Sequence, residues 1–144
     1  MLAWDLRHCV SSINGALHCV DEEEKVTTIK YFLKLYEDKV VPSLPKLRKS
    51  VIHNDANDHN VLGEGEKFTG LIDFGDVVYS ETINNLAIAI AYAMLGSKTP
   101  LHVASLMVRG YHSKYPLLDE EIKGTVRKVR NSIEANYKND CACR

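Results

Sequence analysis

A short strand-like segment, residues 50 to 73, interrupts a chain that elsewhere has helical periodicity. Within it, short strand-like runs at 51–52, 60–62 and 68–73 alternate with polar or glycine-rich residues. This pattern is typical of short strands joined by a polar loop and a hairpin turn. The sequence therefore predicts an α+β fold that is mostly helical, with one small β element in its middle.

Two helices are predicted before this segment. Apolar residues recur in steps of three and four from 5 to 19 and from 22 to 40, which favours two amphipathic helices. Asp21 is the predicted N-cap of the second helix. Pro42 and Pro45 are predicted to end that helix and to lead into a short loop.

Three further helices are predicted after the segment. Residues 82 to 95 are apolar nearly all round, as expected of a helix buried inside a domain, and Gly96 follows as a stop signal. Another helix is predicted from 100 to 113. The last one begins near Asp119 and carries a single apolar stripe as far as Tyr137.

Composition limits the partners that the chain can be expected to have. Its 144 residues suit one domain, and the net charge of −1 gives no electrostatic reason to expect nucleic acid or an anionic membrane. The longest apolar run, 86 to 95, is shorter than the roughly 18 residues that suggest a membrane span. Because the N-terminus also lacks a signal-peptide pattern, we expect a cytoplasmic protein whose cysteines are thiols; these are Cys9, Cys19, Cys141 and Cys143.

Most of the unusual polar residues lie in the middle segment. Asp55 precedes Asn60 by five residues, and Asp73 opens an Asp-Phe-Gly turn after the next strand-like run. Protein kinases use this spacing: the first Asp accepts the hydroxyl proton, the Asn holds Mg²⁺, and the second Asp bridges Mg²⁺ to the nucleotide phosphates. Carboxylate, amide and phosphate oxygens suit Mg²⁺. The pattern therefore indicates phosphoryl transfer.

Simpler interpretations exist for each of these residues. Asp and Asn often cap local backbone donors in loops, but the joint spacing with His53 and Asp76 favours a functional origin. Glu81 and Asn85 fit a substrate contact and a cap or solvated helix position equally well. The glycines at 63 and 65 indicate a hairpin turn, because the third glycine and following helix of a phosphate loop are missing.

The combination His-x-Asp-x-x-x-x-Asn and Ile-Asp-Phe-Gly-Asp resembles the signature of aminoglycoside phosphotransferases and their relatives, the choline, homoserine and hydroxylysine kinases. The resemblance implies the C-terminal lobe of a protein-kinase-like fold, with a small β-hairpin element at the catalytic loop. It also implies a role for each matching residue. Asp55 matches the catalytic base, Asn60 and Asp73 match metal ligands, His53 matches a histidine that supports the loop, and Asp76 matches a second acidic position.

The sequence in and around the motif resembles that of the hydroxylysine-kinase branch. The similar segments are residues 4 to 7, 51 to 62, 70 to 79 and 86 to 94. This similarity implies a kinase that phosphorylates 5-hydroxylysine, with Mg²⁺ as cofactor and GTP or ATP as phosphate donor. The alternatives within the same class are choline, ethanolamine and aminoglycosides, all small molecules.

Members of this family also have a smaller lobe, which supplies a loop over the nucleotide phosphates, a lysine for them and a glutamate that orients the lysine. No segment of the 144 residues resembles that lobe. The resemblance therefore implies that residues 1–144 are the larger lobe alone, with its catalytic motifs at 51–76. An inactive or regulatory fragment is the alternative to an enzyme.

Overall fold

The computed structural model describes residues 5 to 123, and over this range the fold is α+β and mostly helical, as the sequence predicts. Four helices and four short strands lie wholly within that range. In chain order they are α1 (Cys9–Ala16), α2 (Glu23–Lys39), β1 (Lys49–Ile52), β2 (Val61–Glu64), β3 (Lys67–Leu71), β4 (Val78–Glu81), α3 (Ile83–Met94) and α4 (Pro100–Lys114). None of the helices in this part of the chain is long and apolar enough to cross a membrane.

The first two predicted helices are present, with different ends. Short 3₁₀ turns flank α1, so the helical segment runs from 6 to 19. The N-cap of α2 is Glu22, not Asp21; Glu22 caps in the extended conformation and pairs with Lys25 at 2.7 Å. The predicted loop after α2 is also wrong, because Val41–Lys46 forms a 3₁₀ turn whose first residues accommodate a proline.

The strands form two separate two-stranded sheets, where the sequence predicted one β element. The predicted hairpin is the β2–β3 pair, and Gly65 in its turn has a φ of +59°. The other sheet pairs β1 with β4 in antiparallel register, with Val51 opposite Tyr79. Strand β4 was not predicted from the sequence.

The core lies between α3 and α4. One face of α3 is buried and packs with buried residues from other parts of the chain; the cluster comprises Leu47, Ile83, Leu86, Ile90, Met94, Ala104 and Leu117. The other face of α3 is open, since Tyr92 is 41% exposed, so the helix is not buried all round as predicted. Gly96, with a φ of +71°, follows the helix as expected.

An ion pair ties the start of β1 to the C-terminal part of the described chain. Arg48 donates through Nε to Glu121 Oε1 at 2.9 Å and lies 4.4 Å from the ring centre of Tyr115. Glu121 is in a helical stretch that begins at Asp119, as predicted; the predicted continuation to Tyr137, and Cys141 and Cys143, lie outside the described residues. The ion pair joins two parts of the chain that each contribute a residue, Leu47 or Leu117, to the core.

We expect the Arg48→Met variant to have a thermal midpoint roughly 10 °C lower than the wild type. Glu121 is only 1% exposed, so its carboxylate would lose its main counter-charge while staying buried. Differential scanning calorimetry measures the change. The matched control is Lys34→Met, which removes an exposed helix-surface pair with Asp38 and should shift the midpoint little.

The same pair predicts a pH dependence. Burial opposes ionisation of Glu121, but hydrogen bonds from Arg48 and from the Leu118 N–H outweigh it and hold the pKa of the carboxyl below its usual value. This contribution to stability is complete above the ordinary pKa of a glutamate and is lost as the pH falls through the lower, folded pKa. The difference between wild type and Arg48→Met should therefore shrink in acid; a constant difference would contradict the assignment.

Candidate active site

The catalytic candidates lie on two stretches of chain that meet beside the β2–β3 hairpin. We call residues 53 to 60, between β1 and β2, the polar loop, and residues 73 to 76, after β3, the Asp-Phe-Gly turn. The N–H of Ile72 donates to the carbonyl of Asn60 at 3.0 Å, which extends the hairpin ladder by one pair. This bond brings the end of the polar loop next to the start of the turn.

His53 joins the two stretches a second time. Its ring is 6% exposed, and Nε2 lies 2.8 Å from the carbonyl oxygen of Ile72. Nδ1 accepts the N–H of Asp55 at 3.3 Å, which leaves Nε2 to donate to the Ile72 carbonyl. The ring also meets Phe74 edge to face at 5.0 Å between centroids. His53 therefore fixes the distance between the polar loop and the turn.

Asp55 has its carboxylate held in one orientation. Oδ2 accepts from Nδ2 of Asn60 at 2.8 Å and from Nδ2 of Asn57 at 3.1 Å. Nδ2 of Asn60 also donates to the Asp55 carbonyl at 2.8 Å. The side chain is half-buried. A carboxylate fixed through one oxygen, with access to solvent, is in a form suited to accept a proton from a bound hydroxyl.

Asn60 is 7% exposed and its amide has a fixed orientation. Because Nδ2 makes both bonds to Asp55, Oδ1 faces away from that residue. Within residues 5 to 123 no hydrogen bond to Oδ1 is described. The geometry therefore leaves a carbonyl oxygen, a ligand type that Mg²⁺ accepts, next to the catalytic candidate.

Asp73 lies in the left-handed region of backbone space, with φ 59° and ψ 72°. Its Oδ1 accepts the N–H of Gly75 at 3.3 Å, which orients an otherwise exposed carboxylate. Asp76 follows in the same turn and is half-buried. The turn presents the Asp73 carboxylate towards solvent at the end of the hairpin.

The donor set fits a nucleotide-bound Mg²⁺ better than an ion held by protein alone. No group of three or more His, Cys, Asp or Glu side chains in the described part of the chain could hold a metal ion by itself. Asn60 and Asp73 offer one amide oxygen and one carboxylate. Mg²⁺ commonly takes one or two protein ligands and completes its octahedron with phosphate oxygens and waters. The residues present are compatible with that mode.

Asn85, on the first turn of α3, supports the polar loop through a hydrogen bond to its backbone. Its Oδ1 accepts the N–H of Asn54 at 3.2 Å, and Asn54 has a φ of 68°. A non-glycine residue in the left-handed region needs such support from its surroundings. Asn85 therefore positions the loop, a role that neither interpretation from the sequence included.

Glu81 is buried, so the interpretation of it as a solvated helix residue is wrong. It is 1% exposed, and its carboxylate accepts from Ser80 Oγ at 3.1 Å and lies 3.5 Å from Lys49 Nζ. Ser80 Oγ also lies 3.3 Å from Oδ1 of the buried Asp5 carboxylate, so one hydroxyl is shared between the two acids. This network joins the beginning of the described chain to β4.

Tyr92 was not among the residues singled out from the sequence. It lies two helical turns beyond Asn85 on α3, with its phenol near the side chains of Asp55 and Asn57. Burial first, and then the charge of Asp55, raise the pKa of the phenol above its usual value, so it keeps its proton at neutral pH. The spacing of seven residues from Asn85 was the available signal, since such residues share a helix face.

Comparison with known proteins gives matches to one family of phosphotransferases and to kinases. Residues 14–120 match the Phosphotransferase enzyme family, APH. Hydroxylysine kinase of Xenopus laevis is 36% identical over 128 residues, which cover 82% of this chain and 34% of that protein. The corresponding figures for hydroxylysine kinases are 35%, 76% and 32% in Danio rerio and 30%, 82% and 34% in Bos taurus. The chain thus spans about a third of the length of these relatives. No solved structure gives a significant match.

Proposed function

Because the chain belongs to the phosphotransferase enzyme family, we propose that it carries the catalytic centre of a kinase that phosphorylates the hydroxyl of 5-hydroxylysine. The observation that carries this proposal is the pair of hydrogen bonds by which Asn60 orients Asp55 while keeping its own amide oxygen available. The substrate is proposed from the hydroxylysine kinases that the chain resembles. The reaction is transfer of the γ-phosphoryl group of GTP or ATP to the substrate oxygen.

Asp55 is the general base in this proposal. Amide donors hold its Oδ2, so the carboxylate accepts the hydroxyl proton from a fixed position as the substrate oxygen attacks phosphorus. The new bond joins that oxygen to the γ-phosphorus, the bond to the bridging oxygen breaks, and the nucleoside diphosphate leaves. His53 and Asn85 do not react; they keep the polar loop in place.

Asn60 and Asp73 are the proposed ligands of Mg²⁺. Bound there with the nucleotide, the ion would neutralise negative charge on the phosphates, which is the main requirement of phosphoryl transfer. Asp73 contributes a full negative charge and Asn60 a neutral oxygen. Asp76, in the same turn, is proposed as a second acidic group beside the phosphates.

The chain is proposed to act as the larger, C-terminal lobe of a two-lobed kinase, with its motifs at 51–76. A surface suited to a second lobe is present next to the site. Val51 and Tyr79 face each other across the β1–β4 sheet and are 69% and 61% exposed, and Phe74 is 62% exposed. Exposed apolar side chains of this size beside the polar loop and the Asp-Phe-Gly turn support the proposal that another part of the protein covers this face.

A coupled nucleotide-consumption assay with 5-hydroxylysine tests the proposal, applied to this chain and to any longer product of the same gene. Lysine is the matched control substrate, because it lacks only the hydroxyl. We expect Mg²⁺-dependent consumption with 5-hydroxylysine and none above background with lysine. A clear preference for choline, ethanolamine or an aminoglycoside would overturn the substrate, and equal consumption by the Asp55→Asn variant would overturn the site.

The Gly75→Ala variant is expected to lose about 10-fold in turnover, since small misplacements of catalytic groups are costly. A Cβ at position 75 would lie 3.2 Å from Oδ1 of Asp73, closer than ordinary contact, and would push the carboxylate aside. Gly70→Ala is the control, because its nearest contact would be an ordinary 3.7 Å to a Leu62 methyl. Equal activity of the two variants would contradict a role for the Asp73 carboxylate.

A further inference from the structure

Asn57 lies in the middle of the polar loop, and both ends of its side-chain amide have hydrogen-bond partners. Oδ1 accepts the backbone N–H groups of His59 at 2.8 Å and of Asn60 at 3.0 Å. Nδ2 donates to Oδ2 of Asp55 at 3.1 Å. The amide therefore connects the carboxylate of the proposed base to the backbone of the proposed metal ligand.

These partners determine which end of the amide is oxygen. A backbone N–H can only donate and an ionised carboxylate can only accept. The reversed amide would place its NH₂ group against two donors and its oxygen against the carboxylate of Asp55. Asn57 is also half-buried, and its backbone carbonyl accepts the N–H of Val61 at 3.1 Å, so the residue is held through its main chain as well.

The carboxylate of Asp55 receives two amide donors on the same oxygen. Nδ2 of Asn60 donates to Oδ2 at 2.8 Å, and Nδ2 of Asn57 donates to it at 3.1 Å. Two donors fix the direction of the carboxylate, because a group held by one hydrogen bond can still turn about that bond. Loss of the Asn57 donor would leave Asp55 with the bond from Asn60 and an additional freedom to rotate.

We propose that Asn57 is a positioning residue of the reaction, which sets the direction of the Asp55 carboxylate and its distance from Asn60. This inference rests on the proposed function and adds to it the residue that holds the base and the metal ligand at a fixed separation. A misplaced base slows the chemical step. Since Asn57 acts through its neighbours and not on the substrate, its replacement should lower kcat and leave KM unchanged.

Two replacements of Asn57 separate this role from simple closure of the loop. Asn57→Ser keeps an oxygen that can accept a loop N–H but removes the donor to Asp55, and kcat with 5-hydroxylysine should fall about 10-fold. Asn57→Asp keeps the shape and the acceptor oxygen but turns a second carboxylate towards Asp55. Repulsion should displace the base, so kcat should fall further, about 100-fold.

Closure of the loop alone predicts the opposite order. Aspartate can keep the bonds to both N–H groups, whereas the shorter serine can keep only part of them, so Asn57→Asp would then be the milder change. The thermal midpoint of each variant is measured beside kcat and KM. Asn14→Ser, the same replacement at an exposed position of α1, is the control and should match the wild type in all three quantities.

A double variant tests whether Asn57 acts through Asp55. Single-turnover phosphate transfer is compared for Asn57→Ser in the wild type and in the Asp55→Asn background. We expect the loss of about 10-fold in the wild type and almost none in the second background, because the direction of the side chain at position 55 no longer matters once the base is lost.

Four results would overturn the inference and leave the proposed function intact. These are a wild-type kcat in Asn57→Ser, a milder effect of Asn57→Asp than of Asn57→Ser, a change confined to KM, and equal losses in the two backgrounds of the double variant. Failure of the wild type to phosphorylate 5-hydroxylysine would overturn both proposals.

Discussion

Phosphate transfer to 5-hydroxylysine is expected to fall by about 10²–10⁴-fold when Asp55 is replaced by asparagine, the usual contribution of a general base. The amide of asparagine is too weak a base to accept the hydroxyl proton. The replacement has nearly the same shape, and its carbonyl oxygen can still accept from Asn57 and Asn60, as Oδ2 does in the wild type. The loop should therefore keep its conformation while the chemistry is lost.

Asp58→Asn is the matched control for this experiment. Asp58 lies in the same polar loop, is exposed, and makes the same change of charge when replaced. Single-turnover measurements with saturating nucleotide separate the chemical step from substrate binding. The base assignment fails if the two variants transfer phosphate at the same rate, or if Asp55→Asn changes only the KM.

The pattern of apolar residues predicted the two helices after the hairpin closely. Residues 82 to 95 and 100 to 113 correspond closely to α3 (Ile83–Met94) and α4 (Pro100–Lys114). The predicted start of α2 was wrong because two neighbouring residues compete for the N-cap position. Asp21 and Glu22 both precede a run of glutamates that favours the helix N-terminus, and nothing in the composition shows which of them takes the extended cap conformation.

The division into two sheets could not be read from the sequence. β1 pairs with β4, a strand that comes after the whole hairpin, and only tertiary packing selects that partner. In the same way, spacing singled out Asp55 and Asn60 as candidates but did not predict the contacts that support the loop. The contact between Asn54 and Asn85 joins residues 31 positions apart, and it depends on the direction in which α3 leaves β4.

Burial divides the candidate site into a frame and an exposed part. His53, Asn54 and Asn60 are each 6–7% exposed and are held by hydrogen bonds to Ile72, to α3 and within the loop. Asp55 is half-buried and Asp73 is exposed. The carboxylates that the proposed reaction needs are thus open to a ligand, while the side chains that hold the loop are buried. This arrangement keeps the charges hydrated until a substrate arrives and keeps their positions fixed.

The same division makes Asp73→Asn the sharpest test of the metal-binding proposal, with an expected loss of turnover on the order of 10²–10³-fold. Asp73 has a φ of 59°, a conformation that asparagine tolerates and that most other side chains do not. The amide oxygen can also still accept from the N–H of Gly75, as Oδ1 does. The variant therefore removes a negative charge and leaves the turn in place.

Part of the lost activity should return at higher Mg²⁺ concentration, because a neutral oxygen ligand binds the ion more weakly than a carboxylate. Activity is measured against total Mg²⁺ at fixed nucleotide, and the concentration for half-maximal rate is compared. Glu64→Gln serves as the control, since it removes one exposed carboxylate from the neighbouring hairpin. An Asp73→Asn protein with wild-type turnover and wild-type Mg²⁺ dependence would show that this carboxylate holds no ion in the reaction, and the proposed site would then need another ligand.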